Sequence, residues 1–297
     1  MATVELLFDA HAIIAESLLW EPGSGVLYWC DIKAPALYRL DPRTLKSERW
    51  SLPEDIGAFA LTGDDRDVLV ALRSGLFTLS FATGALERVA TASWDPERFR
   101  FNEGACDAAG RFWIGTMCDP PPGGDDQGTA PLHVWTSATG LISCDHTARC
   151  HNGMAWSPDG RTFYMSHSMQ KEVFAYDFDV GTGRLGPQLS FVLLNGAGIP
   201  DGAAVDEEGA YWCAHHGASE IRRYAPDGTL LLQIPLPVSR PTRCAFGGPS
   251  LRTLYISSAS DKLSPSQRRR EPRAGALFRM DPGVRGIPGR STRLDGP

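Results

Sequence analysis

Four polar residues that are far apart in the chain share one position relative to similar hydrophobic segments. They are Glu16, Asn102, Asn152 and Asp201. Each lies 10 or 11 residues ahead of a short segment rich in aromatic and β-branched residues. Carboxylate and amide oxygens suit Ca²⁺, Mg²⁺ or Mn²⁺, and a ligand set this small also admits Zn²⁺ or Fe²⁺ and leaves open positions for a substrate. The spacing therefore predicts a ring of oxygen ligands around one divalent metal ion.

The hydrophobic segments themselves recur six times along the chain. They cover residues 27–32, 68–73, 112–117, 163–168, 211–216 and 254–259. Their first residues are separated by 41, 44, 51, 48 and 43 positions, a spacing typical of propeller blades with four strands. The first strand of each blade lines the central channel, so residues in phase face the same axis. We therefore predict an all-β, six-bladed β-propeller with a central metal site, formed by residues 1–297 as a single domain.

The two chain ends are expected to complete the ring. A propeller usually closes by pairing strands from both ends, and apolar residues 4–8 precede the first repeat while residues 291–294 follow the last. Closure would remove the exposed sheet edges that an open ring leaves. Sustained helical periodicity is absent from the sequence.

Composition excludes several classes of partner. The chain has 297 residues and a formal net charge of −6, which argues against binding nucleic acid or an anionic membrane. The basic run 268–270 is expected to lie in a solvated loop. No stretch of 18 apolar residues and no signal-peptide pattern is present, so we expect a cytoplasmic protein. No feature indicates an oligomeric state.

Cysteine and histidine offer weaker candidates for chemistry. Seven scattered cysteines without a Cys-x-x-Cys pair predict buried free thiols rather than disulfides or a zinc–thiolate site. His167 and His216 occupy like positions in their segments and could belong to a metal cluster, but the oxygen ring favours structural roles for them. Asn152 and Asp201 each precede a glycine, which also fits a turn; four such residues in phase favour the metal site.

Long motifs in the chain resemble the regucalcin/gluconolactonase family, also called the senescence-marker-protein family. They are AESLLW with LYWCDI at 15–32, RFNEGACDAAGRFWIGTM at 100–117, HNGMAWSPDGRTFYMSHS at 151–168, IPDGAAVDEEGAYW at 199–212 and TRCAFGG with LYISSA at 242–259. The resemblance covers roughly residues 10–285. It implies a six-bladed propeller that hydrolyses a sugar lactone.

The resemblance also implies roles for particular residues. Glu16, Asn152 and Asp201 fall on the family's metal-ligand positions, and Asp201 is also the expected general base. Arg100 and Asn102 fall on positions that hold the sugar lactone. Glu103 stands where many members have Asp, which is expected to add a methylene at the substrate rim and to affect substrate choice.

The implied reaction converts an aldonolactone, such as a gluconolactone-, xylonolactone- or arabinonolactone-like substrate, to its aldonic acid. The bound metal would polarise the lactone carbonyl. Two other classes stay open: a calcium-binding regulatory or scaffold propeller without catalysis, and a metal-dependent esterase or organophosphate hydrolase. The Pro- and Gly-rich loop 119–129 is either a lid over the site or a surface connection.

Overall fold

The computed structural model describes residues 3–294, in which 24 strands form six four-stranded antiparallel sheets. This arrangement confirms the predicted all-β, six-bladed propeller. In every sheet the strands follow one another in chain order, except that the first strand of the chain joins the last sheet. Neighbouring first strands of the blades pack against one another around the central channel.

The chain begins with β1 (Glu5–Phe8). Blade 1 contains β2 (Ala15–Glu21), β3 (Val26–Asp31), β4 (Ala36–Leu40) and β5 (Ser47–Ser51). Blade 2 contains β6 (Ile56–Leu61), β7 (Asp67–Leu72), β8 (Gly75–Ser80) and β9 (Leu86–Thr91). Blade 3 contains β10 (Phe99–Cys106), β11 (Phe112–Cys118), β12 (Ala130–Thr136) and β13 (Gly140–Ala148).

Blade 4 contains β14 (His151–Trp156), β15 (Thr162–His167), β16 (Glu172–Phe178) and β17 (Leu185–Leu193), with a 3₁₀ turn at Ser168–Gln170. Blade 5 contains β18 (Ile199–Val205), β19 (Tyr211–His216), β20 (Glu220–Tyr224) and β21 (Leu230–Pro235). Blade 6 contains β22 (Pro241–Gly247), β23 (Thr253–Ser258), β24 (Leu277–Met280) and, from the other chain end, β1.

The six predicted hydrophobic segments are the second strands of the six blades. Each observed strand starts within one residue of the predicted segment, as in β3 and β19. These strands are almost entirely buried because they lie between the first and third strands and between adjacent blades. Their apolar runs are therefore the most reliable marker of the repeat.

A buried aspartate fixes the start of two of these second strands. In blade 3 the Trp113 indole Nε1 donates to Asp107 Oδ2 at 2.9 Å, and in blade 5 Trp212 donates to Asp206 at 2.8 Å. Each of these two indole N–H groups thereby gains a hydrogen bond inside the core, where an unpaired donor is costly. The hydrogen bond holds the turn between the first and second strands of each blade against the indole ring. It therefore helps to fix the position of the first strand that lines the channel.

Ring closure uses only one of the two predicted end segments. Strand β1 pairs antiparallel with β24, and Leu7 is buried in the core between blades 6 and 1. The prediction that residues 291–294 form a closing strand is wrong. This polar segment instead contacts the propeller face on which the first strands end. There Thr292 N–H donates to Leu61 O at the end of β6, and Thr292 Oγ1 donates to Gly110 O in the turn after β10, both at 2.8 Å.

Deleting residues 1–8 is expected to lower the melting temperature by about 10 °C or more. The deletion removes the buried Leu7, whose burial is worth roughly 1.5–3 kcal/mol, together with the partly buried Phe8, and exposes the β24 edge. Thermal melts of the truncated protein check this. Deleting only residues 1–3 leaves β1 intact and serves as the control, and equal melting temperatures for both truncations would contradict the role of β1 in closure.

The basic run 268–270 lies in a short helix, so the prediction of a loop is wrong. Helix α1 (Pro265–Arg270) begins after Ser264, whose side chain accepts from Gln267 N while Gln267 Oε1 accepts from Ser264 N. This capping box and the proline at the first helical position stabilise the helix start. The three arginines point away from the core, since no residue of α1 is buried.

Two further expectations concern cysteines and membranes. All seven cysteines are free, and all but Cys144 are buried, which confirms the prediction of free thiols. Within residues 3–294, no helix combines the length and hydropathy that a membrane crossing requires.

Candidate functional site

All six first strands break their pairing register at the same level of the channel. The breaks lie between Glu16 and Leu19, Ile56 and Ala58, Phe101 and Gly104, Asn152 and Ala155, Pro200 and Ala203, and Pro241 and Cys244. Such β-bulges interrupt the alternation of side chains between the two sheet faces. Consecutive residues such as Asn102 and Glu103 therefore both reach into the channel.

The structure brings the predicted ring residues together at this level. They come from blade 1 (Glu16), blade 3 (Asn102), blade 4 (Asn152) and blade 5 (Asp201), and each is at least nine-tenths buried. Asn102 Nδ2 donates to Asn152 Oδ1 at 2.9 Å. The ring is thus continuous from blade 3 to blade 4.

A chain of hydrogen bonds orients Asn152. Its Nδ2 donates to Ser168 Oγ at 2.9 Å, and Ser168 Oγ donates to Pro200 O at 2.7 Å. Since the amide nitrogen is held by the Ser168 hydroxyl, Asn152 Oδ1 is directed toward Asn102 and the channel. Pro200 directly precedes Asp201, so the same chain links the backbone positions of two ring residues.

The two carboxylates of the ring are held in an unfavourable electrostatic environment. Burial raises the pKa of Glu16 to about 7, with a further increase from the charge of Glu103 and an opposing effect of Arg243. Burial also raises the pKa of Asp201 well above its ordinary value, and the charges of Glu16 and Glu103 add to this effect. Buried like charges repel each other, so a cation bound between them would be stabilised.

This donor set fits a hard divalent cation through two carboxylates and amide oxygen. Within residues 3–294 no group of three or more His, Cys, Asp or Glu side chains is arranged as a metal site. The predicted ligands contain only two such side chains, Glu16 and Asp201, with Asn152 as the third. The fit therefore depends on the chemistry of these oxygens and on their shared burial.

Below the ring, an ion pair crosses the channel. Arg243 Nη1 in blade 6 donates to Glu103 Oε1 in blade 3, which is the opposite blade of the ring. Glu103 is fully buried and also accepts from Gly153 N at 2.5 Å and Met154 N at 3.0 Å. Glu103 was predicted at the substrate rim, whereas the structure places its carboxylate in the floor of the site.

A glycine makes space for this floor. A Cβ atom at Gly202 would lie 2.7 Å from Arg243 Cγ and 2.9 Å from Thr242 O. Because backbone cannot move aside easily, only glycine lets the Arg243 side chain cross beside blade 5. The Asp201-Gly202 pair therefore serves the channel rather than an ordinary turn.

Arg100 links the ring to the surface of the same face. Its Nη1 donates to Asn102 Oδ1 at 2.8 Å and its Nε donates to Asp119 Oδ2 at 3.0 Å. Arg100 is only 3% exposed, and its Nη2 lies 3.2 Å from Met117 Sδ. Its donors are thus engaged by the protein, and the immediate effect of Arg100 is to orient the Asn102 amide.

Asp119 also forms ion pairs with two cationic side chains from neighbouring blades. Its Oδ2 accepts from Lys33 Nζ at 2.8 Å and from Arg73 Nη2, and both cations also contact Asp55 Oδ2, at 2.7 and 3.0 Å. Burial opposes ionisation, but the charge of Arg100 and a hydrogen bond from Lys33 lower the pKa of Asp119, and hydrogen bonds from Lys33 and Arg73 lower the pKa of Asp55. We name Lys33, Arg73, Arg100, Asp55 and Asp119 the mouth cluster.

The loop 119–129 starts at this cluster and continues along the blade 3 rim. Arg98 Nη2 lies 3.7 Å from Asp125 Oδ2, and Arg149 Nη2 lies 3.4 Å from Asp126 Oδ1. Residues 121–127 are exposed. A lid function for this loop stays a prediction.

The histidines do not converge on the ring. The rings of His151 and His167 are 5.7 Å apart, and Tyr224 Oη lies 3.1 Å from His215 Nε2 in blade 5. Burial lowers the pKa of His151 and of His215 to about 3, so both are neutral at physiological pH. These contacts agree with the structural roles expected for histidine.

Sequence reasoning missed several residues of this site. Arg243 lies in phase with the ring residues, so the repeat alignment contained the signal, but no role was predicted for it. Ser168 carries no sequence signal beyond its position after a second strand. Lys33 and Arg73 occupy like loops after β3 and β7, which the repeat could have indicated.

Fold and site together define a six-bladed β-propeller with buried carboxylates in its central channel, and comparison with known proteins assigns the family. The chain belongs to the SMP-30/Gluconolactonase/LRE-like region family, whose model matches residues 14–260. A 6-deoxy-6-sulfogluconolactonase of Pseudomonas putida is 36% identical over 281 residues, covering 93% of this chain and 94% of the relative. Regucalcin of Xenopus laevis is 32% identical over 296 residues, covering 96% of each.

A solved structure agrees with the fold along its full length. The calcium-binding protein regucalcin from Agrobacterium tumefaciens has a TM-score of 0.90 with this chain at 25% identity. The match covers 99% of this chain and 98% of that chain. The resemblance inferred from sequence motifs is therefore confirmed.

Proposed function

We propose that this protein is a sugar lactonase that hydrolyses an aldonolactone to its aldonic acid with one divalent metal ion. The observation that carries the proposal is the pair of buried carboxylates, Glu16 and Asp201, that share one channel level with Asn102 and Asn152. Membership of the gluconolactonase family and a relative named as a gluconolactone-type hydrolase support the same activity.

Glu16, Asn152 and Asp201 would hold the metal. When bound, the cation polarises the lactone carbonyl and stabilises negative charge on its oxygen. Its identity among Ca²⁺, Zn²⁺, Mg²⁺, Mn²⁺ and Fe²⁺ is open to test. Calcium is suggested by the name of the Agrobacterium structure.

The side chains of the site transfer the proton and position the lactone. Asp201 accepts a proton from water as the water oxygen attacks the carbonyl carbon, and the ring C–O bond then breaks. Protonated Asp201 returns this proton to the ring oxygen, which leaves as a hydroxyl, so one water is consumed for each acid formed and Asp201 is regenerated. Asn102, oriented by Arg100, is placed to hydrogen-bond the lactone and align it for attack.

We expect the purified protein to release acid from five- and six-membered sugar lactones faster than their spontaneous hydrolysis. Rates are measured by pH-indicator assay after metal stripping and addition of single ions. A scaffold propeller predicts no excess rate, and an ester or organophosphate hydrolase predicts a faster reaction with those substrates. An excess rate for none of the lactones, with metal loaded, would refute the proposal.

A pair of arginine variants assigns that activity to this site. Arg100→Lys keeps the positive charge but replaces the two guanidinium nitrogens that contact Asn102 and Asp119 by a single ammonium nitrogen, so we expect kcat/KM to fall by about 10-fold or more. Arg98→Lys, two residues earlier with a 48% exposed side chain, is the matched control and keeps wild-type kcat/KM. Equal kinetics of the two variants would remove Arg100 from the mechanism.

A further inference from the structure

Two backbone N–H groups follow Asn152 at the bulge of strand β14. The pairing register of β14 shifts between Asn152 and Ala155, and Gly153 and Met154 lie inside this shift. Gly153 has a φ of 60°, in the left-handed region that favours glycine. Because a bulge interrupts the regular ladder, the backbone here depends on whatever accepts these two N–H groups.

Glu103 of blade 3 accepts both of them. Its Oε2 accepts from Gly153 N at 2.5 Å, and its Oε1 accepts from Met154 N at 3.0 Å. Hydrogen bonds to an ionised carboxylate are stronger than those between neutral groups, and Glu103 is fully buried, away from competing water. One side chain from blade 3 therefore fixes the bulge of blade 4 directly after Asn152.

Arg243 compensates the buried charge of Glu103. Its Nη1 donates to Glu103 Oε1 from the opposite side of the channel. A buried carboxylate without a counter-charge would be strongly destabilising. Three donors thus occupy the two oxygens of Glu103, which directs this carboxylate at the protein rather than at a ligand in the channel.

Blade 1 shows another way to hold an N–H group after a ring residue. Ser17 follows Glu16 with a φ of 53°, and Ser17 N donates to Glu16 Oε2 at 2.7 Å. The side chain of Asn152 is engaged elsewhere, since its Oδ1 accepts from Asn102 Nδ2 and its Nδ2 donates to Ser168 Oγ, both at 2.9 Å. In blade 4 a carboxylate from another blade takes this part.

We propose that Glu103, with Arg243 as its counter-ion, is a positioning residue that fixes Asn152 as a metal ligand and makes no contact with the lactone. The inference rests on the proposed metal-dependent lactonase function and assigns a role within that site. Glu103 acts through the two N–H groups that follow Asn152. Its loss should therefore loosen this ligand relative to the other two and weaken metal binding.

Glu103→Gln tests the role at nearly constant side-chain size. The amide replaces one acceptor oxygen by an NH₂ donor, so it cannot accept from both Gly153 N and Met154 N. We expect the Kd of Ca²⁺ and of Mn²⁺, each titrated alone into chelated full-length protein, to rise by about 10- to 100-fold. At saturating metal, KM for D-glucono-1,5-lactone should stay within about 2-fold of wild type.

Glu220→Gln is the matched control, because it makes the same substitution in another buried ion pair. The Glu220 side chain is 9% exposed, against 0% for Glu103, and its Oε1 accepts from Arg222 Nε at 2.7 Å. Glu220 lies on β20, the third strand of blade 5, rather than on a strand that lines the channel. Its variant should keep the wild-type Kd for both ions.

A double variant separates metal binding from folding. Glu103→Gln leaves the charge of Arg243 without its partner in the core, whereas Glu103→Gln combined with Arg243→Met removes both charges together. We expect the same rise in Kd, by about 10- to 100-fold, in the double variant. Melting temperatures show that each protein is folded at the temperature of the titration.

Three results would overturn the positioning role: a wild-type Kd in the double variant, an equal rise in Kd for Glu220→Gln, or a higher KM with an unchanged Kd, as a direct substrate contact predicts. Lactone hydrolysis by the wild type alongside any of them leaves the lactonase proposal intact. If the metal-loaded wild type hydrolyses no lactone but Kd rises only in the Glu103 variants, the lactonase proposal fails and the positioning role stands. Absence of binding of both ions to the wild type refutes the metal site and the positioning role together.

Discussion

Replacing Asp201 by Asn is expected to lower kcat by about 100- to 10,000-fold while the protein stays folded. The amide keeps one oxygen that can contact a cation but cannot accept a proton from water, so the loss measures general-base catalysis. Steady-state kinetics with saturating metal and a sugar lactone give kcat, and calorimetric titration gives metal affinity. The acid limb of the wild-type pH–rate profile should be absent from the residual activity of the variant.

Glu16→Gln is the comparison that separates ligand from base. Glu16 and Asp201 are both buried, and both have raised pKa values. Because Glu16 has no proposed role in proton transfer, its variant should lose metal affinity as the larger effect and recover much of its kcat at high metal concentration. If Asp201→Asn turns over near the wild-type rate with metal bound, the base is another group.

Removing the metal is expected to abolish lactone hydrolysis and to make stability depend on pH in a direction set by Glu16. The pKa of Glu16 rises from 4.5 to about 7 in the folded protein, mainly because of burial. Without metal, this residue's contribution to stability is fully present below pH 4.5 and is lost as pH rises through about 7. The loss is roughly 3 kcal/mol, since one pKa unit corresponds to about 1.4 kcal/mol.

The buried histidines make stability change with pH in the opposite direction, so the measurement must cancel their contribution. The pKa of His151 and of His215 is lowered to about 3, so their contribution to stability falls as pH drops below about 6.5. The quantity to measure is therefore the difference in melting temperature between chelated wild type and chelated Glu16→Gln. We expect wild type to lose stability relative to the variant between pH 5 and 8.

Bound metal should reverse this trend. A cation between Glu16 and Asp201 favours their ionised forms, so added metal should raise the wild-type melting temperature more at pH 8 than at pH 5. Elemental analysis verifies that the chelated sample is free of metal. Full activity in that sample, or a melting-temperature difference that does not change with pH, would contradict the assignment of Glu16 and Asp201 as ligands.

The repeat made the propeller and the level of the ring predictable from sequence. Second strands such as β3 and β19 are buried on both sides, so their apolar runs stand out and fix the period. Ring residues such as Asn152 lie 10 or 11 residues ahead of the hydrophobic segments, and this nearly constant offset predicts that they share one channel level. The start of helix α1 could also be predicted from the sequence, because Ser264-Pro265 followed by Gln267 is a helix-start pattern.

The parts that sequence did not predict depend on geometry across the ring. Strand alternation puts Asn102 and Glu103 on opposite faces, and only the bulge between Phe101 and Gly104 brings both into the channel. Glu103 and Arg243 are 140 positions apart in sequence, and no local pattern marks them as partners. The prediction of a closing strand at residues 291–294 is wrong, because this short segment has no apolar alternation that distinguishes a strand from an irregular segment.

The ion pair of Glu103 and Arg243 crosses the channel below the ring, so we expect substrate and product of the proposed reaction to use the same entrance on the ring side. A site with a single entrance must release its product before the next substrate can bind. For the proposed reaction, the aldonic acid would leave past the mouth cluster, where the side chains of Lys33 and Arg73 are partly exposed. We therefore expect substitutions in the mouth cluster that widen this entrance to act on product release rather than on the chemical step.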